Sequence, residues 1–217
     1  MSDDHHDESE HEGIQPDTSI SFRAKRAIAI HELLVEKGVL AAGEVEEQVN
    51  RVRSRSPLDG AKVVARTWVD PEFKSRLLAD ARSAVGEMGY SLTHDAELAA
   101  LENTEDVHHL VVCTLCSCYP TSLLGPPPDW YKSFAYRQRV VVEPRAVMSE
   151  FGLEVNDDVQ VRVVDSTADL RYLVLPRRPE GTDAMTEDEL VELVTRDSMI
   201  GVSEALRPEA AMPVEAD

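Results

Sequence analysis

The sequence predicts an α+β protein, a helical arm leading into a layered helix-and-strand domain, and two observations carry that expectation. Apolar residues recur at three- and four-residue spacing before Gly89, and β-branched runs take over after Val107. A chain of 217 residues has room for one domain with a substantial core plus additional segments.

The elements follow in order. Residues 1–19 hold seven carboxylates, no Lys or Arg and almost nothing to bury, the composition of a disordered acidic tail. Phe22, Ala27, Ile28, Ile30, Leu33, Leu34 and Val35 keep a helical period that Gly38 stops, and a second helix is expected over about residues 42–52. Residues 20–66 carry nine basic and six acidic side chains, a local +3 inside a chain of net charge −19. No aromatic core accompanies these helices, so residues 20–60 read as an arm contacting a partner subunit, with a solvated helical face as the other reading.

Ser56-Pro57-Leu58-Asp59-Gly60 reads as a turn that opens a compact domain over residues 61–203. Asp70-Pro71 supplies an N-cap and a first-turn proline for a helix ending near Met88-Gly89. Strands are expected at residues 110–112, 140–142, 159–164 and 172–175. Thr186 with Glu189 forms a capping box for a final helix over residues 187–194, and residues 204–217 read as a flexible tail.

Composition excludes several functions. A charge of −19 repels nucleic acid and anionic lipid surfaces. The longest stretch free of charged side chains, Val107 to Pro128, contains Pro120, Pro126, Pro127 and Pro128 and does not make a spanning helix. The chain opens on Asp, Glu, His and Ser without a basic-then-apolar leader, so a cytoplasmic location with reduced thiols is expected.

Chemistry concentrates in Cys113-Thr114-Leu115-Cys116-Ser117-Cys118, which holds all three cysteines. Three sulfurs converge on a soft or borderline metal but do not complete a tetrahedral zinc site or a four-thiolate cluster. In Cys-Ser-Cys the backbone nitrogens of Ser117 and Cys118 lie where they close small chelate rings with the flanking sulfurs, and Cys113 can add an axial sulfur. One position then stays open, which suits catalysis, and deprotonating two amides favours trivalent cobalt or iron. Such thiolates oxidise readily to sulfenate or sulfinate. Three free cysteines in a strand and turn, and a zinc site, are the alternatives that spacing alone leaves standing.

Val112-Cys113-Thr114-Leu115-Cys116-Ser117-Cys118-Tyr119-Pro120 resembles the metal-binding segment of nitrile hydratase α subunits. Trp130-Tyr131-Lys132-Ser133, Tyr136-Arg137, Glu143-Pro144-Arg145 and Thr195-Arg196-Asp197-Ser198-Met199-Ile200-Gly201 follow the same family's pattern, and the resemblance spans about residues 20–203. It implies a metal held by the sulfurs of Cys113, Cys116 and Cys118 and by the backbone nitrogens of Ser117 and Cys118, with Cys116 becoming sulfinic and Cys118 sulfenic. Thr114 marks the cobalt type, one Co3+ per α subunit, over iron. The resemblance also implies that Cys116, Ser117 and Cys118 form the catalytic centre, and that a nitrile is hydrated to its amide by water or by the Cys118 sulfenate oxygen. Activity then requires a β-type subunit, one chain or split in two, whose arginines hold the oxidised sulfurs, and an activator or metallochaperone serves maturation.

The departures are informative. Thr121-Ser122 stands where the family usually has Trp-Pro, a wall of the nitrile pocket, which predicts a wider, more polar pocket and a bulky polar or heteroaromatic nitrile. Thr93-His94-Asp95 replaces a Gln-Gly-Glu stretch, making His94 a pocket candidate or a surface-loop histidine. Asp165, Asp169 and Arg171 match charged positions behind the family's site, or form a strand-end salt bridge. Thiocyanate hydrolase, which shares the cysteine chemistry, and a non-enzymatic metal-binding or assembly protein are the alternative functions.

Overall fold

The computed structural model describes residues 21–92 and 96–208, so the acidic tail, His94 and residues 209–217 lie outside the described residues. The chain divides into two units, residues 1–48 and 49–217. In the first, α1 (Phe22–Glu36) starts at Ser21, whose hydroxyl accepts the Ala24 amide, and none of its residues is buried. Phe22, Ile28, Ile30 and Leu33 are exposed apolar side chains of that helix. The second helix, α2 (Glu44–Arg53), carries Glu44, Glu46 and Glu47 in its first turn, where carboxylates suit a helix N-terminus.

The second unit begins its core with α3 (Leu58–Val69), so Leu58, Asp59 and Gly60 are helical and the expected turn closes at Pro57. Packing explains the difference. A Cβ at Gly60 would sit 2.5 Å from Leu124 Cδ2 and 2.8 Å from Met199 Sδ, so this glycine lets two elements approach the helix and does not end it. The predicted helix after Asp70 divides into α4 (Pro71–Ala79) and α5 (Ala81–Glu87), because Asp80 leaves helical geometry and caps α5 by accepting the Ser83 amide.

Two parallel strand pairs form the β layer. β1 (Glu97–Glu102) pairs with β4 (Leu170–Leu175), and β2 (Val107–Val112) with β3 (Gln160–Asp165), in registers that match Glu97 to Leu170 and Val112 to Asp165. β1 escaped prediction because Glu97, Ala99 and Ala100 carry little β propensity; its ladder to β4 makes it a strand. Between the strands lie α6 (Thr121–Leu124), α7 (Asp129–Lys132), α8 (Phe134–Val142) and α9 (Pro144–Glu150).

The strand expected at residues 140–142 is the end of α8. Ser133 caps that helix by accepting the Tyr136 amide at 3.1 Å, and Tyr136 and Val140, four residues apart, form its buried face. Val141 and Val142 stay exposed, so a helical period overrides the β-branched run. Two short helices complete the unit: α10 (Glu187–Val191), with the Thr186/Glu189 capping box as expected, and α11 (Arg196–Ile200), which ends on left-handed Gly201 against the His109 carbonyl. Leu110, Val112, Leu173, Leu175, Leu190 and Met199 are among the buried side chains of the core. β2 and β3 end side by side, which places the cysteine loop at the carboxyl end of a parallel pair, next to Asp165.

Candidate metal centre

The loop leaves β2 at Val112 and enters α6 at Thr121, so its position is set by a strand buried from His108 to Val112 and by the buried Leu123 and Leu124 of α6. Cys113 is buried, Cys118 half-buried and Cys116 exposed. Their sulfurs form one cluster: Cys113 Sγ lies 3.4 Å from Cys116 Sγ, which lies 3.2 Å from Cys118 Sγ, and all three fall within 4.8 Å of one another. The Cys116 amide donates to Cys113 Sγ at 3.3 Å.

These distances test a common ion. With metal–sulfur bonds of about 2.3 Å, sulfurs at right angles sit about 3.3 Å apart and tetrahedral ones about 3.8 Å apart. The observed spacings of 3.2 and 3.4 Å put two of the three sulfur pairs near the right-angle value. Hydrogen bonds from Cys118, then Cys113, pull the Cys116 thiol down to about 7. The backbone amides of Ser117 and Cys118 also help to lower the Cys116 thiol. Burial pushes Cys118 up to about 12, and Arg171 opposes that rise. An exposed sulfur with thiolate character is the one oxidised most easily.

Beside the cluster is a cavity of about 230 Å³ lined by Leu92, Ala96, Glu97, Leu98, Cys116, Ser117, Cys118, Tyr119, Pro120, Thr121, Ser122 and Arg171. Cys116, Ser117, Cys118, Thr121, Ser122 and Arg171 thus line one cavity, and Arg171, expected behind the site, is part of its lining. The Thr121 hydroxyl donates only a long 3.4 Å bond to the Tyr119 carbonyl. Nη1 of Arg171 is buried without a hydrogen-bond partner among the described residues.

Asp165 and Asp169 do not line this cavity. Asp165 lies behind the loop, accepting the Thr114 amide at 3.0 Å and the Thr114 hydroxyl at 2.6 Å. Asp169 is an exposed residue of the β3–β4 turn whose carbonyl accepts the Glu97 amide at 2.7 Å. Neither Asp165 nor Asp169 forms an ion pair with Arg171 among the described residues.

Two residues of the loop's surroundings went unassigned. The Tyr131 hydroxyl donates to the Cys118 carbonyl at 2.8 Å, and the Tyr136 hydroxyl donates to the Val111 carbonyl at 2.7 Å. Burial raises both phenols far above their ordinary value, so they remain donors. The Trp130-Tyr131 and Tyr136 positions were part of the recognised pattern, but a spacing of five residues gives no sign of their hydrogen bonds.

Residues 21–203 match the family described as nitrile hydratase, alpha chain. The low-molecular-weight cobalt-containing nitrile hydratase subunit alpha of Rhodococcus rhodochrous is 51% identical over 189 residues, covering 87% of this chain and 91% of that one. A double mutant of the iron-type nitrile hydratase of Comamonas testosteroni Ni1 superposes with a TM-score of 0.83 at 39% identity, covering 92% of this chain and 98% of that one. A recombinant thiocyanate hydrolase with partially modified cobalt centres gives a TM-score of 0.81 at 41% identity, covering 86% and 91%. With the match running from α1 to the end of α11, and the sulfur cluster at its centre, the chain belongs to the nitrile hydratase α-chain family.

Proposed function

We propose that this chain is the cobalt-holding α subunit of a nitrile hydratase, working in the cytoplasm with a β-type partner in one or two chains. The observation that carries the reading is the clustering of three sulfurs within 4.8 Å of one another beside a cavity of about 230 Å³. Net reaction adds one water across a carbon–nitrogen triple bond: oxygen goes to carbon and both hydrogens finally to nitrogen. Bound Co3+, one per chain, supplies Lewis-acid polarisation of the nitrile and activation of an oxygen nucleophile.

The chain's own residues hold and shape that chemistry. Cys113, Cys116 and Cys118 offer the sulfurs, and Ser117 and Cys118 offer the backbone nitrogens. Asp165 fixes the Thr114 end of the loop. Arg171 brings positive charge to the wall that Cys118 shares and stabilises negative charge there. Thr121 and Ser122 leave room for a bulky polar or heteroaromatic nitrile. Exposed Phe22, Ile28, Ile30 and Leu33 on the arm helix suit burial by the β-type partner, and an activator or metallochaperone loads the metal.

The test purifies the chain with its β-type partner and measures cobalt by elemental analysis and amide formation from a nitrile panel, with thiocyanate as a separate arm. Stoichiometric cobalt with amide product supports the reading. Turnover of thiocyanate with inertness toward nitriles replaces it with the hydrolase reading suggested by 41% identity to that enzyme.

A further inference from the structure

The cysteine loop is bracketed by two buried tyrosines that the reaction does not use. Tyr131, at the centre of α7, is completely buried, and its hydroxyl reaches the carbonyl of Cys118 at 2.8 Å. Tyr136, on α8, is buried too, and reaches the carbonyl of Val111, two residues before Cys113, at 2.7 Å. Val112 turns its carbonyl to β3, where it accepts the Ser166 amide, so the preceding carbonyl of Val111 points to the opposite side of the strand. Tyr136 satisfies that group, which β3 cannot reach.

The two rings are themselves held. Tyr131 meets Tyr119 edge-on at 5.2 Å between centroids, and Trp130 contacts Tyr131, Tyr136 and Phe151 at 5.9, 4.9 and 4.7 Å. Phenols locked by packing deliver hydrogen bonds at fixed points, the arrangement expected of groups that support a site. Asp165 adds a further tie, through the amide and hydroxyl of Thr114.

We propose that Tyr131 and Tyr136 are positioning residues for the metal loop, clamping the backbone just after the last sulfur ligand and just before the first. Each hydroxyl sets the direction in which the chain enters or leaves the Cys113–Cys118 segment, and therefore the spread of the sulfurs. Tyr131 acts on the ligand residue itself and has the larger effect.

The inference rests on the reading of the cysteines as ligands of cobalt, and its test is made in the cobalt-loaded complex with the β-type partner. Tyr131→Phe and Tyr136→Phe keep the rings and remove the hydroxyls; Val64→Ala, in α3 and fully buried, supplies a comparable loss of stability elsewhere. The readouts are the sulfur-to-cobalt absorption band, the rate of cobalt loss to EDTA and the melting temperature. Expected is a shifted band and cobalt loss at least fivefold faster for Tyr131→Phe, a smaller change for Tyr136→Phe, and a parental band and parental cobalt retention for Val64→Ala despite its lowered melting temperature. A parental band and parental cobalt retention in Tyr131→Phe overturn the clamp, as does an equal change in Val64→Ala. A parent complex that holds no cobalt overturns the ligand reading instead.

Discussion

The carboxylate of Asp165 grips Thr114 twice, at 3.0 Å from its amide and 2.6 Å from its hydroxyl, across 51 residues of chain. The parallel register that sets Val112 opposite Asp165 brings the two together. Asp165→Asn offers one oxygen where two were used and turns an amide donor toward donors, whereas Thr114→Ser keeps both contacts. The first should lower cobalt content severalfold and cost about 1 kcal/mol of stability, and the second should leave both nearly intact. Elemental analysis and thermal melts of the two variants check this.

In the proposed donor set each sulfur of the cluster closes one part, so Cys113→Ser, Cys116→Ser and Cys118→Ser are each expected to lower bound cobalt and nitrile turnover at least a hundredfold. A hydroxyl is a harder, far less acidic donor than a thiol. Full cobalt occupancy in any one of the three, measured on the purified complex, removes that cysteine from the ligand set.

Thr121 lines the cavity, and an indole in its place would take up part of that space. Thr121→Trp should therefore lower kcat/KM for cyanopyridine about tenfold or more while changing that for acrylonitrile little, because lost space hurts the larger substrate. Comparing the two nitriles in parent and variant decides it; an unchanged ranking means that Thr121 does not set substrate size.

The arm makes a separate prediction. Ile28 and Leu33 are exposed on α1, and replacing both with Glu puts two charges where an apolar partner surface is expected. Co-purification of the β-type chain should fall at least tenfold with the melting temperature of the isolated α chain unchanged. Retained complex at parental yield would falsify the arm's role.

Buried histidines give the fold a pH dependence. His108 and His109 in β2 are both held below their ordinary value of 6.5, chiefly by burial. The unfolded chain therefore binds these protons more readily than the folded one. Stability should be full above pH 6.5 and fall as pH drops from there through the lower folded values. His108 bridges Asn103 Nδ2, at 3.2 Å, and the Gly201 carbonyl, at 2.7 Å. His108→Gln should flatten the loss between pH 6.5 and 5 and cost about 2 kcal/mol at neutral pH, read from denaturant melts across that range.

Local chemistry was legible from the residues alone. The Cys-x-x-Cys-x-Cys spacing brings three sulfurs within reach of one ion whatever lies around them, because a six-residue loop cannot separate them far. Caps at Asp70 and Thr186 and the stop at Gly38 follow from hydrogen-bonding groups and backbone freedom that belong to single residues. The valines at 140–142 misled because their helical face exists only once Val140 and Tyr136 meet a core. β1 needed the ladder of β4, about seventy residues away, to become a strand. The contacts that frame the metal loop are of the same kind. Thr114 with Asp165, Tyr131 with Cys118 and Tyr136 with Val111 join segments that only parallel pairing and aromatic packing bring together, and a hydrogen bond acts over about 3 Å of space, not along the chain.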